Sequence, residues 1–359
     1  MQGNEKRILT THVGSLPRTV EVLDAMKAKF TGGDFNEDAY QSEIAKGVRE
    51  IVKQQADLGI DVVADGEMSK PGFFSYIEER LDGFEARPDE KYNLFAAEIA
   101  AFPEYYEDYF ARAMLGGTVV PMYPSYCVGP ISYKGEAALR RDIDNLKAAM
   151  KGVDVEGAFI PAVAPAGVGY NEHYKTEEEF AEAVAEALRT EYEAIVEAGF
   201  LLQIDDPFLC DILVDPALDD KGKDRKANTY VEAINHSIRN IPEEKIRFHT
   251  CYGINEGPRI HEAPGGDVAK YMLNIKAGAY SFEAANPRHE HDYHIWENLK
   301  LRDGQALIPG VITHASNIVE HPELIAERLV RYAKLVGREN VLAGGDCGFS
   351  SQACYHTEV

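Results

Sequence analysis

The chain reads as an α/β protein, and three observations select a (β/α)8, or TIM, barrel within that class. Eight β-rich stretches stand near residues 8, 61, 158, 201, 246, 279, 306 and 341. Most are separated by segments of helical periodicity, which implies parallel strands joined by crossovers. Nearly all run out into an unusual polar residue, as happens where loops gather over one active face of a barrel. A doubly wound open sheet is the alternative, and the polar strand ends favour the barrel.

Ile8 to Val13 is β-rich and stops at Gly14-Ser15-Leu16-Pro17-Arg18, a turn that displays polar groups. Helical periodicity follows from about Asp38 to Leu58, and the second strand, Ile60 to Ala64, ends at Asp65-Gly66-Glu67. Residues of about 70–156 break the rhythm: an aromatic-rich stretch over 90–110, β-like segments at Gly117–Val120 and Ser125–Tyr133, and a helix over about Glu136–Lys151. We read them as an insertion between the second and third strands of a single barrel that spans 1–359. From Gly157 the pattern is regular. Ala158–Val163 ends in Ala164-Pro165-Ala166-Gly167, and Thr176 with Glu179 spells a capping box that opens a helix running to Ala198. Phe200–Ile204 ends in Asp205-Asp206-Pro207; a helix over about Ala227–Asn240 then precedes the strand Ile246–Cys251. Residues 267–276 read as helix and Ala279–Glu283 as strand. Ala306–Ile312 is a strand, His321–Leu335 a helix, and Val341–Ala343 a strand ending in Gly344-Gly345-Asp346-Cys347. No helix pattern follows it before Val359.

With 359 residues, 45% hydrophobic and 27% charged, the chain can bury a full core. Its formal charge of -23 argues against nucleic-acid partners and anionic membrane surfaces, which it would repel. No run of about 18 apolar residues suggests a membrane span, and Met1 to Arg7 has no apolar signal segment. Five cysteines, an odd number in a long acidic chain, favour reduced thiols and a cytoplasmic location. The oligomeric state is open, a homo-oligomer included.

The chemistry gathers at the strand ends: Ser15, Glu67, Asp205, His249, Cys251, Glu283, His314 and Cys347. Residues two apart on a strand point to one side, so His249 and Cys251 would present an imidazole and a thiol together, a pair suited to zinc. In a barrel, His249, Cys251, Glu283 and Cys347 can converge as a four-ligand set for Zn2+. The bland alternative is four separate buried residues. Three other features read more simply. Asp205-Asp206 before Pro207 reads as a polar anchor rather than an acid/base pair. His289-Glu290-His291-Asp292-Tyr293-His294 reads as a solvated loop rather than a second metal site. Gly344-Gly345 and Gly265-Gly266 read as turns.

These stretches resemble the cobalamin-independent methionine synthase family, in particular its catalytic C-terminal barrel. The matching segments are His249-Thr250-Cys251, Phe282-Glu283-Ala284 and Gly345-Asp346-Cys347-Gly348, joined by Val13-Gly14-Ser15-Leu16-Pro17, Asp65-Gly66-Glu67, Gln203-Ile204-Asp205-Asp206-Pro207 and Pro309-Gly310-Val311 with His314. The resemblance implies zinc held by His249, Cys251, Glu283 and Cys347. It implies Glu67 and Asp205 on the amine of homocysteine, the Gly14-Ser15 backbone on its carboxylate, and His314 assisting proton transfer. The expected reaction is methyl transfer to the homocysteine thiol, forming methionine, because a metal-bound thiol is deprotonated and nucleophilic. Full-length members carry a duplicated barrel before the catalytic one, which this sequence does not show. Folate-using members place a tryptophan against the pterin. The single tryptophan here, Trp296, lies in another connection, and the matching region reads Gly167-Val168-Gly169-Tyr170. The methyl donor is therefore left open between a folate and a corrinoid. The alternatives are epoxyalkane:coenzyme M transfer, disfavoured because coenzyme M has no amine for Glu67 and Asp205, and a non-catalytic binding barrel.

Overall fold

The computed structural model describes residues 6–92, 94–114, 117–253 and 257–355. β1 (Leu9–Thr10) leads through α1 (Val20–Thr31) and α2 (Glu37–Asp57) to β2 (Val62–Ala64). Then come β3 (Leu81–Ala86), α3 (Ala96–Ala101), α4 (Pro103–Tyr109), β4 (Ser125–Tyr133) and α5 (Glu136–Ala149). The regular part follows: β5 (Gly157–Val163), β6 (Tyr170–Asn171), α6 (Glu177–Glu197), β7 (Leu201–Asp205), α7 (Phe208–Val214), α8 (Asp220–Ser237) and β8 (Ile246–Thr250). α9 (Gly265–Met272), β9 (Ala279–Phe282), β10 (Ala306–Ile312), α10 (Pro322–Val336) and β11 (Leu342–Gly345) complete it.

Eight strands form one sheet in the order β1-β11-β10-β9-β8-β7-β5-β2, and every pair in it is parallel. The two ends of that order meet: the Asp61 amide donates to the Thr10 carbonyl at 3.1 Å and the Thr11 hydroxyl to the Val62 carbonyl at 3.0 Å. The sheet is thus a nearly closed (β/α)8 barrel, with strands at each of the eight stretches read from the sequence. The smaller sheet has the order β3-β4-β6, with β3 antiparallel to β4.

Local chemistry sets the helix ends. The Thr176 hydroxyl accepts from the Glu179 amide at 3.1 Å, and Glu177, Glu178 and Glu179 sit in the first turn of α6, where the helix dipole favours negative charge. α8 starts at Asp220, earlier than the expected Ala227, because its opening turns (Asp-Lys-Gly-Lys-Asp-Arg-Lys) carry no apolar stripe although Asp219 caps them. α1 buries Val22, Leu23 and Met26; α7 is too short to show periodicity and rests on the Asp206 cap. Neither glycine pair is a simple turn. Gly265-Gly266 opens α9, and Gly344-Gly345 lies inside β11, where a Cβ on Gly344 would come 2.8 Å from Ile308 Cγ2.

Beyond β11 the described residues form no helix; the segment turns back across the barrel mouth. Gly72 bridges to Gln352 and Thr118 to Cys354. Buried Arg18 fastens three loops there, donating to the carbonyls of Ser350 (2.9 Å), Glu67 (3.0 Å) and Lys70 (2.7 Å). No helix among the described residues is long and apolar enough to cross a membrane.

Candidate functional site

The ladder register aligns Asp205 with His249 and His249 with Ser281 across β7, β8 and β9. Ser281 therefore meets the imidazole of His249: its Oγ lies 3.0 Å from Nδ1. That contact leaves His249 Nε2 buried with no hydrogen-bond partner. Cys251 follows just past the end of β8, and Cys347 just past β11. Their sulfurs are 3.2 Å apart, far longer than a disulfide at about 2.05 Å. A ring nitrogen of His249 and the two sulfurs all lie within 4.8 Å of one another, and all three residues are buried. Burial, then the charge of Arg247, lowers the His249 pKa to about 3, which keeps the ring in the neutral form that ligates metals. The contact with Cys251, then burial, pushes the Cys347 thiol up.

Glu283 sits past β9, outside this three-residue set. Its Oε1 accepts from the Tyr252 amide at 3.2 Å, and its Oε2 from Asn286 Nδ2 at 2.9 Å and Arg259 at 3.2 Å. It belongs to a second group, with Glu262 and His289, whose ligand-type atoms also lie within 4.8 Å of one another. Arg259 pairs with both carboxylates and Arg288 with Glu262. His289 corrects the expectation of a solvated loop. It is buried, its ring nitrogens lie 2.8 Å from Asp292 and 3.0 Å from Glu262, and Tyr252 stacks on it at 4.5 Å. The burial arises because Glu262, distant in sequence, supplies the counter-charge. His291 and His294 of the same run are exposed. Trp296 is also buried, stacked on Phe282 at 5.8 Å.

The other strand-end residues surround the first set. One small cavity is lined by Ser15, Glu67, Asp205, His249, Cys251 and Cys347. Glu67 takes a left-handed backbone (φ 57°), a conformation that costs about 1–2 kcal/mol outside glycine and concentrates at functional sites. Its Oε1 lies 3.4 Å from buried Lys70, and its Oε2 is unpartnered. Asp205 accepts from Gln203 Nε2 at 2.8 Å; burial, then the charge of Glu67, raises its pKa well above the ordinary value. Gly14 has a φ of 139°, and a Cβ there would come 2.5 Å from Pro161, so only glycine brings this turn to the wall. The carbonyl of Ser15 accepts from the Phe349 amide at 3.1 Å. His314 is fully buried beside Glu283, Arg259 and Gly253, and burial lowers its pKa.

Asp206 acts as an anchor: its carboxylate accepts from the Leu209 amide at 3.0 Å and its carbonyl from the Thr250 hydroxyl at 2.8 Å. Lys70, Arg259, Ser281 and Asp346 were not singled out from the sequence. Asp346 binds the amides of Ala284 (2.7 Å) and Ala285 (2.8 Å), fixing the exit of β9 to that of β11. Asp346 stands within Gly345-Asp346-Cys347-Gly348 and Lys70 three residues after Glu67, so both carry a local signal. Arg259 and Ser281 had none.

The profile of the cobalamin-independent synthase catalytic domain matches residues 8–109 and 161–358. The chain belongs to that family. The residues between the matched blocks, 110–160, include β4 and α5. Among curated relatives, a 5-methyltetrahydropteroyltriglutamate–homocysteine methyltransferase from Thermotoga petrophila is 23% identical over 352 residues, covering 96% of this chain and 41% of the relative. A methionine synthase from Saccharolobus solfataricus is 24% identical over 349 residues, covering 94% of this chain and 87% of the relative. The chain thus spans less than half of the first relative and most of the second. A B12-independent methionine synthase from Shewanella, solved with selenomethionine, shares the fold with a TM-score of 0.70 at 18% identity, covering 95% of this chain and 91% of that one.

Proposed function

We propose that this family member transfers a methyl group to the thiol of homocysteine, forming methionine, with zinc as its resident metal. The observation that carries the reading is a ring nitrogen of His249 and the sulfurs of Cys251 and Cys347 buried within 4.8 Å of one another, with Nε2 of the ring unpartnered among the described residues. Two sulfurs and an imidazole suit zinc better than harder cations. Glu283 is the proposed fourth ligand, and taking that part requires release from Arg259. When bound, zinc supplies a thiolate at neutral pH by lowering the pKa of a coordinated thiol.

The chain's own residues do the rest. Ser281 meets Nδ1 of His249 and leaves Nε2 as the ligand atom, the kind of support that tunes metal ligands. Glu67 and Asp205 offer carboxylate oxygens to the substrate amine, and the unpartnered Glu67 Oε2 is the acceptor waiting for a donor. Lys70 neutralises part of that charge, so one cationic amine balances the pocket. The Gly14-Ser15 backbone, with Ser15 lining the same cavity, is the proposed receiver of the substrate carboxylate, and His314, buried and neutral, is the proposed proton carrier. The relatives named as methionine synthases support the same acceptor.

Zinc-edge X-ray absorption on the zinc-loaded protein, with and without homocysteine, tests this. The sulfur count should rise from two to three when homocysteine is added. No zinc retained, or no change in sulfur count, would overturn the reading.

A further inference from the structure

Glu98, on α3 in the connection between β2 and β5, is buried in a place where packing alone does not call for a carboxylate. Its Oε1 accepts from the amides of Ile260 (2.8 Å) and His261 (2.7 Å), which lie 162 and 163 positions along the chain. Its Oε2 has no hydrogen-bond partner among the described residues. Removing a carboxylate from water costs free energy that only good hydrogen bonds offset, and an apolar residue would fill the same helix face without that cost. A second side chain of this connection reaches the same loop. The hydroxyl of Tyr106, fully buried on α4, donates to the Pro258 carbonyl at 3.4 Å.

The two contacts bracket one residue. A peptide unit is planar, so the Pro258 carbonyl and the Arg259 amide move as one plate, and the Arg259 carbonyl and the Ile260 amide as the next. Tyr106 holds the first plate and Glu98 the second, with the Cα of Arg259 between them. The buried Arg259 side chain pairs with Glu262 and, at 3.2 Å, with Oε2 of Glu283. Glu283 also accepts the amide of Tyr252, which directly follows Cys251, so this carboxylate stands beside the three-donor set with one oxygen held by a cation. Without Arg259, Glu262 would keep Arg288 and His289. Glu283 would keep only neutral donors among the described residues, the Tyr252 amide and Asn286.

We propose that Glu98 is a positioning residue for the thiol site: by fixing the loop that carries Arg259, it keeps Glu283 paired with the guanidinium and a coordination position open for the acceptor thiol. This rests on the zinc-dependent thiol-methylation reading above. A carboxylate that loses its counter-charge beside a zinc site is free to serve as an anionic ligand, and in that position it competes with the incoming sulfur. Loosening the loop therefore strengthens metal binding and weakens thiol binding. General damage to the site would weaken both.

Two titrations of the full chain test the inference: zinc in competition with a chromophoric chelator, and homocysteine into the zinc-loaded protein by calorimetry. Glu98→Ala should bind zinc about tenfold tighter and homocysteine about tenfold more weakly, the lower end of the range for outer-shell changes at metal sites. Glu98→Gln, which keeps an oxygen for both amides, should stay close to the parent. Tyr106→Phe, which loses one hydroxyl, should move both constants in the direction of the alanine variant by a smaller factor. The shift caused by Glu98→Ala should vanish in a Glu283→Gln background, because the effect runs only through that carboxylate. An unchanged or lowered zinc affinity in Glu98→Ala, or in Tyr106→Phe where the alanine variant does not fold, overturns the inference. So does a shift of the same size in the Glu283→Gln background. A parent that retains zinc and binds homocysteine while these variants fail the test removes only the role of Glu98. A parent that does neither removes the thiol-transfer reading as well.

Discussion

Two clusters sit side by side at the barrel mouth, and each has three ligand-type atoms within 4.8 Å. In the first, His249, Cys251 and Cys347 lie together with no cationic side chain among the described residues hydrogen-bonded to them, and His249 Nε2 has no partner there. In the second, Glu262, Glu283 and His289 are threaded by Arg259 and Arg288. Proximity of ligand atoms is therefore a poor guide to a metal. What distinguishes the clusters is whether the protein has already supplied the cation. Desolvated carboxylates must be balanced, and guanidinium groups do that in the second cluster. Neutral thiols and a neutral imidazole need no such balance, so the first can remain without one until a metal replaces the thiol protons.

That contrast can be broken from either side. The largest expected effect is at the sulfurs: Cys347→Ser should abolish zinc retention and lower methyl transfer by more than about 100-fold, since outer-shell losses alone reach about 10–100-fold. Metal analysis by mass spectrometry with a homocysteine methylation assay checks it, and full zinc occupancy in the variant would falsify the ligand assignment. Next comes Arg259→Met, which takes the guanidinium from buried Glu283 and leaves Glu262 to Arg288 and His289. It should destabilise the fold by about 3–5 kcal/mol, the usual loss when one partner of a buried pair is removed, read as a lower urea midpoint. A stability equal to that of the parent would mean that Arg259 does not carry the charge balance. Ser281→Ala leaves every ligand in place but frees the ring of His249; zinc affinity should fall about tenfold in a competition titration with a chromophoric chelator. The smallest effect belongs to His294, which pairs with Glu297 at 2.7 Å in the open, in the same histidine-rich run as buried His289. His294→Ala should leave both the urea midpoint and the zinc content near those of the parent, whereas His289→Ala should shift the midpoint clearly.

The ways in which the sequence reading fell short follow the same physics. α1 and α7 escaped it because one is a weakly patterned helix and the other only seven residues, about two turns. The opening of α8 escaped because its polar start shows no stripe. The burial of His289 escaped because nothing near it in the chain reveals Glu262 or the Tyr252 ring.

By itself the sequence determined the barrel and the residue types available at its mouth. Eight apolar runs that stop at polar residues allow few other arrangements, and a strand end is where its following side chain is exposed to a shared face. Tertiary structure alone decided which of those residues meet. It set Ser281 against His249 and drew Arg259 to Glu283. Such pairings depend on strand register and on loops packed across the mouth, which place residues separated by tens of positions within hydrogen-bond reach, and no local pattern in the chain encodes them.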